Sequence, residues 1–122
     1  MKYTRLYADA SGDSHFEEVE VVLTPTDFAP PAPPLDVGSF VPAARFGFLR
    51  AASRWSGDWH PAPRRQFFCQ LNGEYEITAS DGATRRFPAG SVLLLEDTIG
   101  KGHATRVISR EDVLIAVVQL PD

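Results

Sequence analysis

The sequence predicts one all-β domain built as a double-sheet jelly roll, and three patterns support this architecture. At 122 residues, the chain has the length of a single domain. No window keeps apolar residues at helical spacing for more than about two turns. From residue 41 onward, short apolar segments alternate with turn residues at intervals of about ten residues, which is typical of sandwiches and barrels.

The individual strands follow from alternation and turn residues, and roughly eight to ten are expected. Asn72-Gly73 and Asp81-Gly82 favour tight hairpin turns, because both dipeptides tolerate positive φ. The clearest strands cover residues 15–23, 41–50, 66–71, 74–79, 84–87, 91–95, 104–109 and 113–120.

The N-terminal third is expected to differ from the rest of the chain. Residues 29–35 (APPAPPL) contain four prolines, which lack backbone donors and therefore favour an extended surface crossing. We expect residues 1–40 to form a strand and a proline-rich arm packed on a barrel of residues 41–122, all within one domain. Such an arm commonly packs across a symmetric partner, so a homodimer is expected.

Composition excludes several function classes. With 12 basic and 16 acidic residues the formal charge is −4, which argues against nucleic acid as a partner. The longest apolar run, residues 113–118, is far below the roughly 20 residues of a membrane helix, and residues 1–20 show no apolar signal core. A cytoplasmic protein without a membrane partner is expected. Cys69 is the only cysteine, so neither an intrachain disulfide nor a cysteine metal cluster can form.

Two motifs carry a resemblance to a known family. Five residues separate His60 from Gln66, and six separate Gln66 from Gly73. Residues 90–95 (GSVLLL) open a second motif that continues, after a long loop, at His103. This pattern resembles the paired motifs of the cupin superfamily, which are small barrels of the double-stranded β-helix type. The resemblance spans residues 60–107 and implies a cavity around His60, Gln66 and His103.

The departures from that pattern concern the metal. Metal-binding cupins supply three histidines and a glutamate, whereas this chain has Ala62 at the second histidine and Gln66 at the glutamate. Glu96 replaces a proline and Val107 an asparagine of the second motif. The resemblance implies His60, Gln66 and His103 as ligands of one divalent ion, iron, manganese, nickel or zinc. Loss of a histidine and of the carboxylate should weaken such binding.

The histidines and two carboxylates are the candidate catalytic groups. His60 and His103 would act as ligands or as a general acid and base, or else would be hydrogen-bonded pocket residues without a metal. Glu96 and Asp97 follow an apolar strand and would move a proton near the barrel mouth, although the sequence leaves open which faces inward. The alternative is an exposed polar turn.

Other side chains are candidates for holding the ligand. Gln66 and Gln70 share one strand face with Phe68, which the family's orientation turns inward, although Gln70 could instead satisfy backbone groups. Gly100-Lys101-Gly102 could form an anion nest. Arg64, followed by Arg65, would bind a carboxylate or be solvated. Trp55 and Trp59 would form an apolar wall, or else pack in the core or a dimer interface.

The leading hypothesis is a cupin enzyme that acts on a small organic carboxylate or carbonyl compound by acid/base chemistry of the isomerase or lyase kind. His60, His103, Asp97 and Glu96 would be catalytic, and Trp59, Arg64, Gln66, Gln70 and Lys101 would bind substrate. One alternative is a metal-dependent oxygenase with a two-histidine and glutamine site. The other is a small-ligand-binding cupin without catalysis.

Overall fold

Twelve strands and no helix make up the computed structural model, which describes residues 1–122. No helix long and apolar enough to cross a membrane is therefore present. The strands are β1 (Lys2–Ala8), β2 (Ser14–Glu20), β3 (Thr24–Thr26), β4 (Leu35–Val37), β5 (Arg45–Ala51), β6 (Ser56–His60), β7 (Gln66–Asn72), β8 (Tyr75–Ala79), β9 (Thr84–Phe87), β10 (Val92–Glu96), β11 (His103–Val107) and β12 (Val113–Gln119).

The strands form two main sheets and one hairpin. The larger sheet has the order β2-β1-β10-β7-β12-β5, the smaller has the order β6-β11-β8-β9, and β3 pairs only with β4. Only the β1–β10 pair is parallel. Gly73 turns β7 into β8 with φ +72°, at the Asn-Gly position where the sequence predicts a hairpin. The predicted all-β jelly-roll architecture is confirmed.

The core lies between the two sheets. Alternation along β12 turns Val113, Ile115 and Val117 inward, and each is at most 6% exposed. Each such side chain stabilises the fold by about 1.5–3 kcal/mol relative to an exposed position. The buried cluster comprises Leu6, Ala62, Tyr75, Ile77, Ala79, Phe87, Leu93, Leu95, Val107, Val113, Ile115 and Val117.

The ten strands of the two main sheets lie within the expected eight to ten, but the sequence analysis placed no strand at β1 or β6. β1 is mostly polar, and Leu6 is its only fully buried residue, so it carries little apolar signal. β6 contains glycine and aspartate, which strands disfavour, but it lies at a sheet edge where they are tolerated.

The proline tract lies in the turn of an exposed hairpin. β3 and β4 flank it and pair through Thr24 with Val37, Pro25 with Asp36 and Thr26 with Leu35. All six strand positions except Val37 are exposed. Residues 1–40 also contribute β1 and β2 to the larger sheet, so strands from both sides of the predicted boundary at residue 40 pair within that sheet.

Candidate functional site

A cavity of about 520 Å³ lies between the sheets, within the volume range of about 300–1,000 Å³ that small-molecule sites occupy. Its walls come from β5, β7, β10 and β12 of the larger sheet and β6, β8 and β11 of the smaller one. Fourteen of its 23 lining residues are hydrophobic, which suits a ligand with an apolar body. The polar lining residues are Arg45, Arg50, His60, Gln66, His103, Thr105 and Gln119.

Strand pairing brings the two histidines of the cavity together. His60 ends β6 and His103 begins β11, and the two are cross-strand partners. Their ring centroids lie 4.8 Å apart, with 54° between the ring planes. His103 is only 4% exposed, whereas His60 is exposed to solvent. The pair therefore has one interior and one solvent-facing imidazole.

Gly102 allows the chain before β11 to approach His60 this closely. It adopts φ +71°, and a Cβ built there would collide with the carbonyl group of His60 and the nitrogen of Pro61. Ser14 Oγ donates a buried hydrogen bond of 2.7 Å to the Gly102 carbonyl. The separation of the two histidines thus depends on a glycine beside them.

Hydrogen bonds at Nδ1 determine which nitrogen of each histidine remains available. His103 Nδ1 lies 2.6 Å from Asp97 Oδ2, and His60 Nδ1 lies 2.7 Å from the Asp58 carbonyl oxygen. A carbonyl oxygen only accepts, so His60 Nδ1 must donate, and His103 donates likewise to an ionised Asp97. Neither Nε2 has a protein hydrogen-bond partner. Each neutral imidazole therefore keeps an unshared lone pair at Nε2.

Asp97, rather than Glu96, is the carboxylate that contacts a histidine of the cavity, namely His103. Its side chain is fully buried, and its backbone carbonyl accepts a 3.0 Å hydrogen bond from the Ala62 amide. Asp97 Oδ1 has no hydrogen-bond partner. The Asp97–His103 pair is thus a buried unit, in which the carboxylate orients the ring.

Glu96, like Asp97, is not among the residues that line the cavity, and unlike Asp97 it contacts neither histidine, contrary to one of the two placements that the sequence left open. Its oxygens accept from Arg5 at 2.5 Å and Arg65 at 2.6 Å. Partial burial acts to raise the pKa of Glu96, but the hydrogen bonds from Arg5 and Arg65 outweigh it, and the pKa is lowered. Glu96 is therefore an ion-pairing carboxylate rather than a proton donor near neutral pH.

The two glutamines of β7 have different surroundings. Gln66 lines the cavity, and its Oε1 accepts from Gln119 Nε2 at 3.1 Å. Gln70 is buried but does not line the cavity, because its Nε2 donates to the carbonyls of Asn72 at 2.8 Å and Gly73 at 2.9 Å. Its contacts match the alternative in which it satisfies backbone groups near the hairpin turn.

Three expected ligand-binding residues lie outside the cavity lining. The Lys101 ammonium is exposed and pairs with Asp13 at 2.9 Å, so no cation of the loop points at the histidines. Arg64 lies 3.7 Å from the carboxylate of Asp122. Trp59 is 48% exposed. Lys101 and Trp59 thus face a surface partner or solvent, whereas Arg64 also donates a 3.4 Å hydrogen bond to Oε1 of the cavity-lining Gln119.

The cavity contains residues for which the sequence analysis named no role, chief among them Arg45. Pairing of β5 with β12 places Arg45, Gly47 and Leu49 on the inner face of the sheet and Phe46 and Phe48 on its outer face, although all five residues border the cavity beside this edge strand. Apolar content alone would favour the phenylalanines as the inward residues, so the sequence held no usable signal. Of the two tryptophans considered, the one that lines the cavity is Trp55.

The residues present do not fit a resident divalent metal ion. No group of three or more His, Cys, Asp or Glu side chains is arranged to hold one. Two of the four family ligand positions remain histidines, while Ala62 carries no donor and Gln66 Oε1 already accepts from Gln119. Two neutral imidazoles without an anionic oxygen make a weak set for such an ion.

Comparisons with known proteins bear on the fold. No protein-family model and no curated protein matches the chain. The cupin domain of Schizosaccharomyces pombe Cnp3 is 16% identical with a TM-score of 0.55, over 89% of this chain and 73% of that one. A Cupin 2 conserved barrel domain protein from Salinispora arenicola is 20% identical with a TM-score of 0.49, over 83% and 76%. At such identity the likeness concerns the fold and not the activity.

Proposed function

We propose that this protein, which has a cupin fold, is an enzyme that acts on a small organic carboxylate or carbonyl compound by acid/base chemistry. The reaction is of the isomerase or lyase kind. The observation that carries this proposal is the buried 2.6 Å contact between Asp97 and His103, beside His60, at the wall of a largely apolar cavity. A carboxylate–imidazole pair with a free Nε2 is suited to general base catalysis.

In the proposed reaction, His103 Nε2 takes a proton from the carbon next to the substrate carbonyl. The electron pair of the broken C–H bond moves onto the carbonyl oxygen, and Asp97 stabilises the imidazolium that forms. Gln66 accepts from Gln119 through Oε1, so its amide N–H groups remain free to donate to that oxygen. To complete an isomerisation, His60 first takes a proton from solvent at Nε2 and then delivers it to the substrate, and His103 returns its proton to solvent.

Deuterium exchange tests this proposal. The protein is incubated in D2O with a panel of small oxo acids and hydroxy acids, and NMR follows exchange at the carbon next to the carbonyl. Wild type should catalyse exchange with at least one compound, and Asp97→Asn should lower its rate roughly a hundredfold or more. An asparagine can donate to Nδ1 of His103, which would move the ring proton to Nε2 and abolish the base.

Glu96→Gln is the matched control, because Glu96 is the adjacent carboxylate and pairs with Arg5 and Arg65 rather than with a histidine. It should keep the exchange activity while losing the ion pairs with Arg5 and Arg65. Equal loss of exchange in both variants, or no exchange with any compound, would contradict the proposal. The second outcome, together with measured ligand binding, would favour the non-catalytic alternative.

The oxygenase alternative has its own measurement. It requires a transition metal, and elemental analysis of protein purified without chelator detects one directly. A metal content below about a tenth of an ion per chain would rule out this alternative, because the reaction depends on the metal. The weak two-imidazole set described above leads us to expect such a low content. Near-stoichiometric iron, manganese, nickel or zinc would instead favour it over the acid/base reaction.

A further inference from the structure

The cavity differs in charge from the molecule that surrounds it. The chain has more acidic than basic residues, 16 against 12, yet none of the 23 cavity-lining residues is Asp or Glu. The groups of the lining that can carry a positive charge are Arg45, Arg50, His60 and His103. We infer that the ligand of this cavity is an organic carboxylate with an apolar body, and that Arg45 binds its carboxylate group. This inference concerns the substrate class and rests on the function proposed above.

Arg45 is singled out by its direction rather than by its charge alone. It forms no ion pair with the chain, as is also true of Arg50, Arg54 and Arg110. Arg50 also borders the cavity, but it lies at an even position of β5, on the face that carries Phe46 and is turned away from the other sheet. Arg54 and Arg110 do not line the cavity. Arg45 is therefore the unpaired guanidinium on the inner face.

Strand register places Arg45 in the same row as polar groups of the proposed active site. Arg45 pairs with Gln119, which pairs with Gln66, which pairs with Leu95. Neighbouring strands lie about 4.8 Å apart, so Arg45 and Gln66 are separated by about 10 Å at their Cα atoms. A guanidinium on this row can donate two parallel hydrogen bonds to the ligand's carboxylate, while the carbon next to that carboxylate lies toward the histidines.

Space for the apolar body adjoins Arg45. Gly47 is the next inward residue of β5, and a Cβ added there would have no heavy atom within 4 Å. Beyond it, the cavity is walled by Phe68, Ile115 and Val117. Burial of the apolar body in this cavity is favourable, and Arg45, which is exposed on the edge strand β5, supplies the cation that pairs with the carboxylate.

Binding of matched acids and amides tests the inference. The probes are 3-phenylpropionate with 3-phenylpropanamide and hexanoate with hexanamide, followed by calorimetry and by the fluorescence of Trp55 and Trp59. At least one acid should bind wild type about tenfold or more tightly than its amide, because charge-assisted bidentate hydrogen bonds are strong. Arg45→Gln should abolish this preference, and Arg45→Lys should keep part of it.

Two controls address folding and charge. Arg110→Gln removes the same charge outside the cavity and should leave the acid preference unchanged, and Arg50→Gln should weaken it less than Arg45→Gln. Gly47→Val should block both members of the pair, because it fills the cavity from a position with free space. All variants are compared by thermal unfolding to establish that they are folded.

Several results would overturn the inference. They are equal binding of acid and amide, an acid preference that survives Arg45→Gln, binding that persists in Gly47→Val, or no binding of any probe at about 10 mM. Failure of the acid/base proposal gives a different pattern, since the acid preference and its dependence on Arg45 would persist while wild type showed no deuterium exchange.

Discussion

Each histidine of the candidate site has its Nδ1 engaged by a partner behind it, and this determines the chemistry available at the cavity. The partners differ, being a buried carboxylate for His103 and a backbone carbonyl for His60. A carboxylate stabilises the protonated ring and a carbonyl mainly orients it. In the proposed reaction, His103 is therefore the base, and His60, once protonated by solvent, is the proton donor.

Restoring the missing ligands should create a metal site. The double variant Ala62→His with Gln66→Glu adds an imidazole and a carboxylate at two cavity-lining positions. We expect it to bind zinc or nickel at least a hundredfold more tightly than wild type, roughly the effect of completing a three-histidine and carboxylate set. Calorimetry and elemental analysis measure this.

The single variants are the controls for that experiment, and each should bind less tightly than the double variant. Crowding of the larger side chains could cost about 1–3 kcal/mol of the free energy of unfolding. Tight metal binding by wild type would contradict the expectation that its two imidazoles form a weak ligand set. No metal binding by a folded double variant would show that the four positions do not converge.

The turn between β1 and β2 supports the loop that joins β10 to β11. Gly12 accepts a 3.0 Å hydrogen bond from the Lys101 amide, Asp13 pairs with the Lys101 ammonium, and Ser14 binds the carbonyl of Gly102. Asp97 begins this same loop. Lys101 thus holds the loop in place, which explains why its charge is directed away from the cavity.

His15 connects that turn to the one between β8 and β9, and we expect its contribution to stability to depend on pH. Its Nε2 lies 2.6 Å from Asp9 and its Nδ1 lies 2.9 Å from Asp81. Hydrogen bonds to Asp9, then to Asp81, raise the pKa of His15. The resulting stabilisation is fully present below the unfolded value of about 6.5 and is lost as the pH rises through the raised folded value.

Urea unfolding of His15→Gln at several pH values measures this dependence. The free energy of unfolding lost by the variant should be larger near pH 6 than near pH 9. Asp81→Asn, which removes one of the two carboxylates, should show a smaller change with the same sign. A loss that does not vary with pH would mean that the contacts of His15 act without its charge.

The outward face of the larger sheet exposes aromatic side chains at its edge. Phe46 and Phe48 of β5 are 66% and 64% exposed and pack on each other at 5.1 Å in a T-shaped pair. The β3–β4 arm exposes Phe28 and Phe40, which also contact each other, at 6.0 Å. Large apolar side chains grouped in this way are typical of association surfaces.

The expected homodimer stays a prediction that sedimentation can test. Wild type should sediment as a dimer at micromolar concentration. Phe46→Ser with Phe48→Ser should shift it to monomer if the sheet face forms the interface, and Phe28→Ser with Phe40→Ser should do so if the arm forms it. A monomeric wild type would contradict the prediction, whichever surface is considered.

Local patterns in the sequence were sufficient for the architecture and for much of its order. Alternation identified most strands, and Asn72-Gly73 identified a hairpin, because side-chain period and turn conformation are properties of neighbouring residues. Motif spacing also pointed to His60 and His103 as members of one cavity, since it counts residues along strands whose pairing the fold type implies. β1 and β6 lacked such local signals and were missed.

Long-range register decided what the sequence left open. Whether Glu96 or Asp97 faces the histidines depends on where the chain leaves β10, and whether Arg45 is turned inward depends on which face of β5 meets the opposite sheet. A one-residue change in register reverses every such assignment, and the contacts that fix register come from distant strands. The sequence by itself therefore determined the kind of fold and its two histidines, while the tertiary structure decided which charged groups accompany them.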